Sequence, residues 1–128
     1  MTALPCASRL RHLLVLLVLT LAQAGCGQTS RDLALDEAKA RDACAATLEA
    51  WKAAKKPADL KPDIIASDYA WAAGQKLIDF EFLPGETSDG TNLNIPVKLT
   101  LQDARGAQKT SNAMYTVGTS PVVTVIRD

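Results

Sequence analysis

From Leu93 to Leu101 the chain alternates with a period of two: Leu93, Ile95, Val97, Leu99 and Leu101 fall on one side, and Asn92, Asn94, Lys98, Thr100 and Gln102 on the other. This is the pattern of a strand with one buried face and one wet face. Pro96 lies within it and has no N–H to give to a neighbour, which predicts an edge position or a bulge. The same period recurs on both sides. Lys76 to Leu83 sets Ile78, Phe80 and Phe82 against Asp79 and Glu81. Ala107 to Val117 sets Ala113, Tyr115 and Val117 against Gln108, Thr110, Asn112 and Thr116, and Val122 to Ile126 is a short β-branched run. Pro84 with Gly85, the Ser88, Asp89, Gly90 cluster, Asp103 to Gly106, and Gly118 to Pro121 supply the residues that turns use. Four antiparallel strands in a meander are expected.

Before Gly74 the period changes. Leu33 to Lys56 has no Gly or Pro and is rich in Ala, Glu, Lys, Arg and Leu, so propensity favours a helix. Leu33, Ala40, Cys44, Leu48 and Trp51 form one apolar stripe, with Lys39, Asp42, Glu49 and Lys52 opposite. Lys55 and Lys56 fall where the negative end of the helix dipole attracts cations, and Pro57 stops the helix. Thr29 with Asp32, or Ser30, could cap its start. Pro57 to Gly74 reads as two short helical pieces. Pro62 opens the first, which runs through Asp63 to Ala66, and Ser67 with Asp68 caps the second, which ends at Gly74.

Together these elements predict an α+β domain, a long N-terminal helix whose stripe covers the apolar face of a four-stranded antiparallel meander. No internal repeat is evident. In element order, Leu33 to Ile126 resembles the cystatin-like and NTF2-like architectures, in which a curved sheet wraps an N-terminal helix. The resemblance implies a ligand-binding domain or an enzyme with a polar residue deep in a conical pocket, and fold alone does not choose between them.

The leader alters where this domain is expected to work. Arg9, Arg11 and His12 precede an apolar run from Leu13 to Ala22, which gives way to Gln23, Ala24, Gly25 and Cys26. The run is too short to span a bilayer, which takes about 20 apolar residues. A basic start, a short greasy middle and a small-residue exit mark residues 1–25 as a signal peptide. Ala24, Gly25 and Cys26 resemble the lipobox of bacterial lipoproteins, with Gln23 where an aliphatic residue is usual. The resemblance implies lipid on Cys26, anchoring in the cell envelope at the inner or outer membrane, a tether over residues 26–31 and a single domain over 32–128. Alternatively, cleavage follows Ala24 and the protein is secreted or periplasmic. If Cys26 is acylated, Cys44 stands alone as a small core residue; if Cys26 is free, the two can pair in an oxidising compartment.

Charge and residue inventory then narrow the chemistry. The chain carries 14 basic and 14 acidic side chains, and loss of Arg9 and Arg11 leaves it about two units acidic, which does not suggest nucleic acid as a partner. The single histidine, His12, lies in the leader. Without it, neither Ser-His-Asp nor Cys-His sites nor His-based metal sites can form in the mature chain. No glycine pattern cradles a phosphate, and no cofactor is expected. Asp79 and Glu81, two apart on one strand, are the remaining acid–base candidates, although alternating acids on a strand are ordinarily its solvent face.

Three functions fit. The first is a lipid-anchored, non-enzymatic binding or structural module that meets an envelope protein through its polar sheet face (Lys98, Thr100, Gln102, Thr110, Asn112 and Thr116) or an edge strand. The second is a small-molecule carrier with a pocket lined by Trp51, Tyr69, Trp71 and Tyr115 between helix and sheet. The third is an enzyme using Asp79 or Glu81.

Overall fold

Asp36 starts the long helix. Its side chain accepts the Lys39 N–H at 3.0 Å, Glu37 places a negative charge in the first turn, and helix α1 follows over Glu37–Lys52. The computed structural model describes residues 34–128; Thr29, Ser30, Asp32 and Leu33, named above at the start of the helix, lie outside them, as do the leader and Cys26. Ala40, Cys44, Leu48 and Trp51 are buried on one side of α1, while Lys39, Asp42, Glu49 and Lys52 are exposed. The helix ends four residues sooner than its composition suggests. Ala54 turns into the left-handed region at φ 61°, so that Lys55 N–H reaches the Ala50 carbonyl at 3.0 Å and Ala54 N–H reaches that of Trp51 at 2.9 Å. These are the two bonds of a Schellman ending, here made without glycine.

After a 3-10 turn at Pro57–Leu60, the chain forms β1 over Ile64–Ser67 and helix α2 over Tyr69–Ala72. Asp68 caps α2 by accepting the N–H groups of Ala70 and Trp71, and Gly74 closes it at φ 86°. The expected first helical piece is therefore a strand. Ile64 and Ile65 are β-branched, and β1 pairs in parallel with the last strand, at Ile64↔Val123 through Ser67↔Ile126, a partner about sixty residues away.

Strands β2 (Lys76–Phe82), β3 (Thr87–Ser88), β4 (Asn92–Gln102), β5 (Gln108–Gly118) and β6 (Val123–Arg127) complete the sheet. Its order is β1-β6-β5-β4-β2, with β3 on β4 beyond the end of β2. The fold is α+β, as the period change implies. The sheet, however, is six-stranded and mixed rather than a four-stranded antiparallel meander, because β1 adds a parallel edge. Its helix lies within the chain, from Glu37, rather than at the N-terminus.

Two local departures have plain causes. A bulge between Leu77 and Asp79 shifts the phase of β2 by one residue, so Leu77 is buried while Ile78, expected beside Phe80 and Phe82, is 36% exposed. Pro96 is not on an outer strand. It falls in the break where β2 has ended at Phe82↔Val97 and β3 has not begun at Thr87↔Asn94. Its carbonyl accepts Leu83 N–H on that side, but the return bond that an N–H at position 96 would give to Leu83 is missing, and the β2–β4 ladder stops there. The core is one cluster in which the α1 stripe meets Leu93, Ile95, Val97, Leu99, Tyr115, Val117 and Val125.

Candidate functional site

The segments Ala50–Lys56 (AWKAAKK) and Ala70–Lys76 (AWAAGQK) share Ala, Trp, Ala and Lys at the same places. No repeat was expected from the sequence, yet the structure uses these two segments as a matched pair. Each ends a helix with the same Schellman bonds, Lys55 N–H to Ala50 and Ala54 N–H to Trp51 in α1, Gln75 N–H to Ala70 and Gly74 N–H to Trp71 in α2. The tryptophans then cross over. Trp51 Nε1 donates to the Gln75 carbonyl at 2.8 Å, and Trp71 Nε1 donates to the Lys55 carbonyl at 3.0 Å, each reaching the residue four places after the other tryptophan. The two rings lie 5.5 Å apart between centroids and 13° from parallel, an offset stack. The two helix ends thus clasp one another with approximate two-fold symmetry.

At this clasp the surface opens into a groove of about 820 Å³, within the size range of small-molecule sites. Trp51, Trp71 and Leu77 form its floor, with Ala54, Ala58 and Ala66 around them. Both rings are almost buried and their indole N–H groups are bonded to main chain, so the little of them that reaches the groove is apolar edge. Polar recognition falls to the rim, formed by Lys52, Lys55, Lys56, Lys61 and Lys76. Lys55 and Lys56, read in the sequence as charges on the last turn of the helix, lie beyond its end. Lys52 pairs with Asp79 at 3.5 Å, and among the described residues the other four make no salt bridge.

The four aromatic candidates separate into three settings. Trp51 and Trp71 meet in the groove. Tyr115 does not line it; its hydroxyl donates to Asp68 Oδ2 at 2.5 Å inside the core. Tyr69 stands 65% exposed with the Arg127 guanidinium 4.3 Å from its ring centre. Asp68, Tyr115 and Arg127 form a buried polar knot: Arg127 Nη1 lies 3.5 Å from Asp68 Oδ1, and both side chains are almost inaccessible. Burial, and then the bond to Asp68, push the Tyr115 hydroxyl up from its ordinary value. No buried side-chain donor or acceptor in the knot lacks a partner, and none of its three residues lines the groove, which fits a structural role. Asp79 and Glu81 are exposed on β2, Asp79 in register with Thr100 and Glu81 with Lys98, and neither lines the groove.

Cys44 is fully buried, and burial pushes its thiol up to about 12, which leaves it unreactive at neutral pH. Among the described residues no three His, Cys, Asp or Glu side chains converge as metal ligands, and no helix is long and apolar enough to cross a membrane. No family model matches the chain, and comparison with curated proteins and with solved structures returns no match.

Proposed function

We propose that this is an exported binding module, tethered to the envelope through lipid on Cys26, which holds a small ligand in the groove at the paired helix ends. The observation that carries the reading is the groove itself, a concavity walled by two stacked tryptophans whose hydrogen bonds are already satisfied. The rings themselves are almost buried, Trp51 3% and Trp71 8% exposed, and the groove opens beside them between four alanines and five lysine stems. The likeness to cystatin-like and NTF2-like domains, among which ligand binding is common, rests on a long helix that precedes a largely antiparallel sheet. The non-enzymatic reading is supported by the exposure of Asp79 and Glu81 and by the position of the single histidine, His12, in the leader.

Native mass spectrometry of the protein released gently from its membranes tests the groove. A bound species of a few hundred daltons is expected on the natural protein and not on an Ala58→Trp/Ala72→Trp variant, whose indoles would occupy the space. Equal loading of both proteins, with both folded, would place the ligand elsewhere and remove the proposal.

A further inference from the structure

The groove collects one kind of charge. Five of the chain's eight lysines line it, the others being Lys39, Lys98 and Lys109, and among the described residues no acidic one does. This occurs in a chain whose basic and acidic side chains balance overall, so the segregation is local. Asp79 takes Lys52; Asp59 accepts the Lys56 main-chain N–H at 2.9 Å and, among the described residues, makes no salt bridge to a rim lysine. The carbonyls at the end of α1, which would repel an anion, are capped by the Ala53, Ala54 and Lys55 N–H groups.

Resting on the reading of the groove as the binding site, we infer that its ligand is a small anionic amphiphile, a carboxylate or phosphate head on a single apolar chain or ring. The two ends of such a molecule match the two parts of the site. The apolar portion lies against Ile78, the alanines and the exposed edges of the nearly buried Trp51 and Trp71, whose indole N–H groups are bonded to main chain and do not compete for it. The head meets lysine ammonium groups, which act as point charges on flexible stems and accept carboxylate or phosphate without demanding a fixed bidentate geometry. A neutral apolar ligand would leave the four exposed cations Lys55, Lys56, Lys61 and Lys76 to water, and a cationic ligand would be repelled. Lys56 and Lys76 stand at corresponding places in the two matched segments, five residues after their tryptophans, so positive charge flanks the ring pair from both helix ends.

The molecule contains its own reporter. Trp51 and Trp71 are its only tryptophans and both line the groove. Intrinsic fluorescence of the mature exported protein would be titrated with decanoate, decyl phosphate, decyltrimethylammonium and inorganic phosphate, each below its micelle concentration. A saturable change is expected with the first two, at least about tenfold tighter than with the cationic chain. Lys55→Gln/Lys56→Gln/Lys61→Gln/Lys76→Gln should weaken it by a similar factor, and so, by less, should Lys56→Gln/Lys76→Gln. Lys98→Gln/Lys109→Gln should leave it unchanged, with thermal melts showing all three variants folded. Equal affinity for anionic and cationic chains would overturn the charge inference while leaving the groove as a binding site. Inorganic phosphate binding as tightly as decyl phosphate would overturn the amphiphile. No saturable change with any chain would remove the groove reading itself.

Discussion

At the residue scale, the groups hidden from water make the sharpest predictions. The Cys44 thiol ionises at its ordinary value of 9.0 once unfolded, but burial holds it up to about 12 in the native protein. The native state therefore keeps a proton that the unfolded state releases, and stability falls as pH rises from about 9 towards 12. Chemical denaturation across that range should show the decline, and Cys44→Ala, although less stable at neutral pH, should flatten it below about pH 10, above which Tyr115 contributes in the same direction. A thiol reagent at pH 8 should label Cys44 only as fast as the protein opens. The buried knot is more demanding. Asp68→Ala strands the Arg127 guanidinium and the Tyr115 hydroxyl in the core, and should cost about 3–5 kcal/mol in urea unfolding, whereas Tyr115→Phe should cost about 1–2 kcal/mol. The sequence displayed Asp68 as a helix cap, and it is one. Its other partners, Tyr115 and Arg127, are 47 and 59 residues away, and no local pattern announces them.

At the scale of elements, what was legible followed from periodicity. The α1 stripe and the alternation of β4 and β5 give the buried faces observed, because each is a local rule imposed by 3.6- or 2-residue geometry. The parallel strand β1 was not legible, since four residues hold too little pattern to outweigh Pro62, Ser67 and Asp68 as helix signals. The bulge in β2 was hidden for a related reason: Ile78, Phe80 and Phe82 alternate without fault, and only pairing with β4 reveals the slip at Leu77 and Asp79. The clasp could have been found. Trp followed by Ala two places on and Lys five places on occurs twice, twenty residues apart, in a chain with only two tryptophans. Its matched endings differ in one telling residue, Ala54 against Gly74, both at positive φ. Ala54→Gly should therefore stabilise the protein by up to about 1 kcal/mol, and Gly74→Ala should destabilise it by about 1 kcal/mol through strain alone, since a Cβ at Gly74 would meet no atom within 4 Å. Thermal melts of the pair decide this, and equal effects of the same sign would contradict the equivalence of the two endings.

Across the whole molecule, α1 separates the point of entry from the groove. The described chain enters at Leu35, whose N–H is held by the Gly90 carbonyl, and at Asp36, whose N–H donates to Thr119 Oγ1. The groove lies at the other end of a 16-residue helix, about 24 Å along its axis. A lipid on Cys26 would join the domain through the chain that enters at the Leu35 end. Cys26→Ala is expected to move the protein from the membrane fraction to the soluble fraction without changing what the groove binds. The central claim, that the two tryptophan-bearing helix ends form a binding site, is tested most directly by two-dimensional NMR of the mature protein titrated with decanoate. The account predicts that the indole N–H signals of Trp51 and Trp71 and the amides of Lys55 to Lys61 and Gln75 to Ile78 shift together and saturate, while those of Lys98, Thr110 and Thr116 on the far face of the sheet stay still. Shifts centred on that far face, with both indole signals unmoved, would contradict it.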